Sequence, residues 1–317
     1  MFQPGEDYGS GDSFSDNNPD HRAGYVAIVG KPNAGKSTLL NAIMRQKLSI
    51  VTSKAQTTRH RIIAAHSEDD FQCIFLDTPG VLRPVTRPED RSKLDERMMQ
   101  SVKRASKDAD AMLVIIDASD RPAQTLTFLA STFEDAAVPL AVVLNKVDLL
   151  FGNEVEEAAQ VFRDVPKVEA VIPVAAATGH NVKAVEDWAV SHLPLGPALY
   201  PKDTVSEHPE RFFVGEIIRE KIFQLYQQEV PYCTTVQIND FKERDMGKDL
   251  VSATVFVEQD SQKGILIGRG GAALKQLGSA ARTDIEDFLG RPVFLDMTVK
   301  VKEKWRKSNE SLNEFGY

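Results

Sequence analysis

The stretch Gly30-Lys31-Pro32-Asn33-Ala34-Gly35-Lys36-Ser37-Thr38 decides how the chain is to be read. Ahead of it stands Tyr25-Val26-Ala27-Ile28-Val29, short, apolar and β-branched, which predicts a buried strand. Behind it Leu39, Leu40, Ile43 and Leu48 fall at the spacing of one helix face. A glycine-rich turn between strand and helix matches the phosphate-loop pattern G-x-x-x-x-G-K-[ST]. Backbone N–H groups must curl around a polyphosphate there; glycine permits the dihedrals and the close approach, and the helix N-terminus adds donors and a favourable dipole. Lys36 is expected to bridge the β- and γ-phosphates, and Ser37 to offer its hydroxyl to Mg²⁺. Gly30, Asn33, Ala34, Gly35 and Thr38 complete the expected phosphate contacts.

Working outward, 317 residues suggest about two domains. A hydrophobic content of 42% with 26% charged residues is that of a soluble globular chain, and no apolar run reaches the roughly 18 residues of a membrane span. Residues 1–22 are expected to form a disordered tail: to about Asp20 they are rich in Gly, Ser, Asp and Asn, without the order of a signal or transit peptide. The 2 cysteines, Cys73 and Cys233, lie in strand-like stretches and read as buried thiols, pointing to a reducing cytoplasm. A net charge of −8 argues against nonspecific nucleic-acid binding by the whole surface. Between Lys263 and Lys307, however, 10 Lys/Arg face 5 Asp/Glu, which suggests a local docking patch.

From residue 23 to 193, strand-like runs at 25–29, 71–77, 111–117, 139–144 and 168–174 alternate with helical patterns. The expected fold class is α/β: a mostly parallel sheet with helices on both faces, binding its ligand at the carboxyl ends of the strands. Further motifs sit at those ends. Cys73-Ile74-Phe75-Leu76 runs into Asp77-Thr78-Pro79-Gly80, where Asp77 is placed to hold Mg²⁺ through a water and the Gly80 N–H to meet the γ-phosphate. Leu140–Leu144 runs into Asn145-Lys146-Val147-Asp148. A carboxylate at Asp148 can accept from guanine N1–H and the 2-amino group, neither of which adenine offers. Asn145 would tie the loops together, and the Lys146 stem would lie over the base. Ala175-Ala176-Ala177-Thr178-Gly179 follows the last strand, with the Ala176 N–H expected to reach guanine O6.

These motifs form the set of a translation-factor-type P-loop GTPase. Together with the run Lys54-Ala55-Gln56-Thr57-Thr58-Arg59-His60-Arg61, they make the first domain resemble the Era family of bacterial GTPases. The resemblance implies GTP/GDP and Mg²⁺ as ligands, Thr58 rather than Thr57 beside Ser37 and Asp77 at the metal, and Lys36, Thr58 and Gly80 as the catalytic groups. Asn33 matches the position where related GTPases hold K⁺. One departure is Ala175, where the family usually has a serine that braces the base loop. Val81 follows Gly80 and cannot orient a water as a glutamine does, so catalysis is expected to be positional and electrostatic. Trp188 and Met98 read as core, and His60 as a solvated side chain.

Four prolines (Pro194, Pro197, Pro201 and Pro209) and Gly196 predict a stiff linker over 194–209. Beyond it, 210–317 shows the order α-β-β-α-α-β. It begins with an amphipathic helix marked by Val214, Ile217, Ile218, Ile222 and Leu225, and carries Gly268-Arg269-Gly270-Gly271 between two later helices. This resembles an α+β type II KH domain, whose G-x-x-G loop clamps the backbone of about four single-stranded nucleotides. Lys263, Arg269 and Lys275 would supply charge, Gly268, Gly270 and Gly271 the close approach, and Ile265, Leu266 and Ile267 a floor for the bases.

The reading that covers most of the chain is a GTP-hydrolysing, RNA-binding switch in small-subunit assembly. The family resemblance implies binding near the 3′ end of 16S rRNA, on the 30S subunit, as a monomer in the cytoplasm. Two alternatives are an RNA-binding module with GTP as a structural ligand, and a membrane-associated cell-cycle GTPase in peripheral contact with the inner face of the cell membrane.

Overall fold

A computed structural model describes residues 18–52, 54, 56–81, 91–121, 124–125 and 138–317. Residues 1–17 of the expected tail and Ala55 of the run Lys54–Arg61 lie outside the described residues.

The phosphate-loop strand extends further toward the N-terminus than its apolar run suggests. β1 spans Arg22–Gly30, and His21 is buried, with Nδ1 2.7 Å from the Gly196 carbonyl. His21 and Arg22, expected in the tail, are therefore part of the folded chain. α1 (Lys36–Met44), β2 (Ile62–Ser67), β3 (Phe71–Asp77), α2 (Lys93–Asp108), β4 (Ala111–Asp117), β5 (Leu140–Asn145), α3 (Glu154–Arg163), β6 (Val168–Pro173) and α4 (Val182–Ser191) follow. The six-stranded sheet runs β2-β3-β1-β4-β5-β6, parallel except for the antiparallel edge pair β2–β3. β2 was missed by the strand pattern because Ile62-Ile63-Ala64-Ala65 is short and alanine-rich.

Period-two alternation divides the strand side chains between two cores. Val26, Ile28, Cys73 and Phe75 face α1 and α4 through Leu39, Leu40, Ile43, Val185 and Ala189. Ala27, Val29, Ile74 and Leu76 face α2 and α3 through Val102, Ala105, Ala159 and Phe162. α2 is started by a reciprocal cap in which Ser92 Oγ accepts from the Asp95 N–H (3.1 Å) and Asp95 accepts from the Ser92 N–H (3.1 Å), an arrangement worth about 1 kcal/mol. Both cysteines are free and buried.

Residues 194–209 are bound to the sheet. Gln72 in β3 is bonded to Leu199 and Tyr200, the Ala65 N–H donates to the Val205 carbonyl (2.9 Å), and Ser206 Oγ donates to the Ile63 carbonyl (2.5 Å). The connection covers the edge strand β2 and thereby closes an otherwise open ladder.

The second unit comprises α5 (Glu210–Leu225), α6 (Val230–Cys233), β7 (Thr235–Lys242), β8 (Asp249–Val257), α7 (Asp260–Ile267), α8 (Ala272–Leu289), β9 (Val293–Val301) and α9 (Asn309–Glu314). Its three-stranded sheet runs β7-β8-β9, antiparallel then parallel. α5 departs from the amphipathic expectation. Glu216, Arg219 and Glu220 are buried along with Val214, Ile217 and Ile222, while Leu225 is exposed, because the helix is packed against both units. Glu216 and Arg219 pair with each other (2.5 Å), and Glu220 reaches Lys47 of the first unit (2.5 Å). Met98 of α2 likewise packs against Trp305 and Leu312 of the second unit. No helix among the described residues is long and apolar enough to cross a membrane.

Candidate functional site

The phosphate loop turns out of β1 into α1 through Gly35, which has φ +100°. A Cβ there would lie 2.0 Å from Asn145 Nδ2, so glycine is required by dihedral and by contact alike. Asn145 at the end of β5 donates to the Ala34 carbonyl (2.9 Å) and accepts from the Ala176 N–H (3.0 Å). One buried amide thus joins the phosphate loop to the base loop. The N–H expected to face guanine O6 is taken by Asn145 in this arrangement.

Below the loop lie two buried charges. Lys36, 5% exposed, donates to the carbonyls of Lys31 (2.9 Å) and Gly30 (3.3 Å). Burial brings its ammonium down to about 8, against the opposing pull of Asp77. Asp77 is fully buried at the end of β3, and one carboxylate oxygen accepts from Ser37 Oγ (2.8 Å) and Ser49 Oγ (2.9 Å). Its other oxygen, Oδ1, is buried without a partner. Burial raises the Asp77 carboxyl, with Lys36 and the two serines opposing. A carboxylate with an orphaned oxygen beside two hydroxyls fits a hard divalent cation, and a desolvated ammonium under curled N–H groups fits phosphate. The residues present therefore suit Mg²⁺ and a nucleoside triphosphate.

Geometry separates the two threonines. Thr58 Oγ1 lies 2.9 Å from Ser37 Oγ, whereas Thr57 Oγ1 donates back to the Lys54 carbonyl (2.8 Å) within its own loop. A cavity of about 520 Å³ is lined by Asn33, Gly35, Lys36, Ser37, Thr38, Thr58, Gly80 and Lys146. Gly80 approaches Pro32 so closely that a Cβ would fall 2.7 Å from that ring. Val81 turns into the core, its N–H donating to the Gly30 carbonyl (2.9 Å).

Asp148 sits exposed on a single 3₁₀ turn, Val147–Leu149, outside that cavity. Ala175 and Ala176 are buried and Ala177 is exposed. Several lining residues, Asp117 and Gln56 among them, are given no role in the sequence reading. Asp117, ending β4, pairs with Lys146 (2.5 Å), and Gln56 faces the cavity from the loop before Thr57. Asp117 carried a legible signal, since it ends a buried strand as Asp77 does; Gln56 carried none. His60 is half-buried rather than solvated: it stacks on Tyr317 at 4.5 Å and meets Phe212 edge-on at 5.3 Å. Burial brings its imidazole down to about 4.

The second candidate site is the turn between α7 and α8. Gly268, Gly270 and Gly271 take φ of +70°, +60° and +80°, with Arg269 exposed between them. Lys263 and Ile267 are half-buried and Lys275 is exposed. Leu266 is fully buried in the core of the second unit and cannot serve as a floor for bases; Ile265, half exposed, remains on the surface. Beside the turn, a groove of about 490 Å³ runs between α8 and β9, lined by Gly271, Leu274, Lys275, Arg282, Leu295 and Met297.

A family model described as 50S ribosome-binding GTPase matches residues 25–146, and a KH domain model matches 229–306. The chain is 40% identical over 297 residues to GTPase Era of Geobacter metallireducens, covering 93% of this chain and 98% of that one. It is 47% identical over 299 residues to GTPase ERA1, chloroplastic, of Zea mays, covering 94% and 71%. Among solved structures, it is similar to Era in complex with MgGDPNP and nucleotides 1506–1542 of 16S ribosomal RNA, at 35% identity and TM-score 0.88, covering 94% and 99%. It is also similar to an Aquifex aeolicus Era variant bound to GDP.AlF4-, at 35% identity and TM-score 0.87, covering 93% and 99%.

Proposed function

Because the chain belongs to the Era family of GTPases, we propose that it hydrolyses GTP while holding the 3′ region of small-subunit ribosomal RNA, as a switch in assembly of the 30S subunit. The observation that carries this reading is the pairing, in one chain, of a buried Lys36–Asp77 centre at the phosphate loop with an exposed glycine–arginine turn on a KH unit. Ser37, Thr58 and Asp77 would hold Mg²⁺, which when bound screens the β- and γ-phosphate charge. Lys36 meets those phosphates with a charge already stripped of water, so its attraction is little screened. The Gly80 N–H would meet the γ-phosphate, and Asp148 would select the base as the carboxylate partner of N1–H and the 2-amino group. Asn33, at the lip of the loop, is the residue against which a potassium ion would sit.

Gly268, Arg269, Gly270 and Gly271, with Lys263, Ile267 and Lys275, take the RNA strand. The relative solved with nucleotides 1506–1542 of 16S rRNA supplies the RNA identity for this proposal. Multiple-turnover phosphate release from GTP, with and without a single-stranded oligonucleotide of the 16S rRNA 3′ end, tests it. Sustained turnover changed by that RNA is expected. A single stoichiometric binding event without phosphate release would leave only an RNA-binding module with GTP as a structural ligand. Equal rates in K⁺ and Na⁺ would remove the monovalent ion from the scheme.

A further inference from the structure

The loop between α1 and β2 is tied to the second unit along its length: besides Lys47 on Glu220, Val51, Lys54 and Arg59 reach across. The Val51 N–H donates to Glu220 Oε1 (3.1 Å). Lys54 Nζ donates to the carbonyls of Phe223 and Tyr226, where α5 ends. Arg59, 4% exposed, donates to the carbonyls of Thr234 (2.6 Å), Tyr232 (2.8 Å) and Pro231 (3.3 Å). Between the last two anchors, Gln56, Thr57 and Thr58 line the nucleotide cavity. The segment that brings Thr58 to Ser37 is therefore held in part by main-chain atoms of the KH unit.

Tyr226 stands at both ends of one such tether. Its carbonyl accepts from Lys54, while its hydroxyl, buried, donates to the Leu266 carbonyl (3.0 Å). Leu266 lies in the last turn of α7, where carbonyls lack partners inside the helix, and two residues before Gly268. Because Leu266 is fully buried, a shift of the glycine turn has little slack in which to dissipate before it reaches the Tyr226 hydroxyl.

We propose that Tyr226 is a positioning residue that couples the Gly268–Gly271 clamp to the nucleotide loop, through its hydroxyl on Leu266 and its carbonyl on Lys54. This rests on the reading above, in which the clamp takes RNA and the phosphate loop takes GTP. A triphosphate that orders Thr58 also orders Lys54, Tyr226 and the end of α7. RNA then meets a clamp whose ordering cost is already met, and the linkage is reciprocal.

The test is the ratio of RNA affinities in the GDP and non-hydrolysable GTP forms, measured on the full chain with a fluorescent 16S rRNA 3′-end oligonucleotide. The wild type should bind RNA more tightly in the GTP form, by about tenfold. Tyr226→Phe keeps the ring in the core and removes only the hydroxyl. It should cut the ratio by about fivefold, with RNA affinity in the GDP form and the KM for GTP unchanged. Lys54→Met should cut it similarly, and the double variant no further than either alone, as expected of two steps in one path. A Tyr226→Phe ratio equal to wild type, or a wild type that binds both ligands with a ratio of one, overturns the relay and leaves the functional reading intact. A wild type that binds neither ligand overturns that reading, and the relay with it.

Discussion

The molecule has two glycine turns proposed to take phosphate, and they are built in opposite ways. The loop at Gly30–Thr38 sits over buried Lys36 and Asp77 and is stitched to the base loop by the buried amide of Asn145. The turn at Gly268–Gly271 stands at the surface with Arg269 and Lys275 exposed. An enclosed site can strip its ligand of water, so each charge counts strongly and geometry is exacting. An open turn works in high dielectric, where each phosphate contact is weak and salt-sensitive. The first is suited to choosing one small molecule, the second to gripping a strand that passes across it.

The largest effect that would sharpen this contrast is at the base. Asp148→Asn should swing the preference of GTP over xanthosine triphosphate by about four orders of magnitude, since one accepting oxygen becomes an N–H donor that faces the 2-amino donor of guanine but suits the 2-oxo acceptor of xanthine. Competition titration of both nucleotides checks it, and RNA affinity measured without nucleotide should be unmoved. Next comes Lys36→Ala, expected to weaken GTP by about a thousandfold through loss of a buried charge partner. A drop of only a few-fold, the size proper to an exposed contact, would break the contrast.

A third effect follows from the Lys36 ammonium standing at about 8. Phosphates favour the charged form, so the complex holds more protons than the free protein above that value. GTP affinity should therefore fall as pH rises past about 8, by up to about tenfold per unit. Calorimetry at pH 8.5 in buffers of different ionisation enthalpy should register proton uptake on binding; no uptake would place Lys36 outside the phosphate contacts. The smallest effect is Arg269→Ala, which should lower RNA affinity a few-fold and flatten the salt slope by about 0.7. GTP binding should not change.

The same contrast explains what the sequence could reveal. The phosphate loop with Lys36 and the strand ends carrying Asp77 and Asn145 are legible because the pattern is local: an apolar run, a turn, a polar residue. The distinction between Thr57 and Thr58 is not, since it depends on which hydroxyl folds back to the Lys54 carbonyl. Nor is the character of α5. Glu216, Arg219 and Glu220 look like a solvated face in one dimension, yet they are buried because a second unit covers them. His60 was misread for that reason, its ring being packed between Phe212 and Tyr317. The segment 194–209 reads as a free linker from its prolines, while its hydrogen bonds to Gln72 and Ile63 appear only when β2 needs an edge covered.

Equilibrium titration of the full chain with GTP and with ATP, both with Mg²⁺, tests the central claim most directly. GTP should be held at least about a thousandfold more tightly than ATP, with GDP competing for the same site. Equal affinities for the two triphosphates, or no measurable binding of either, would contradict it.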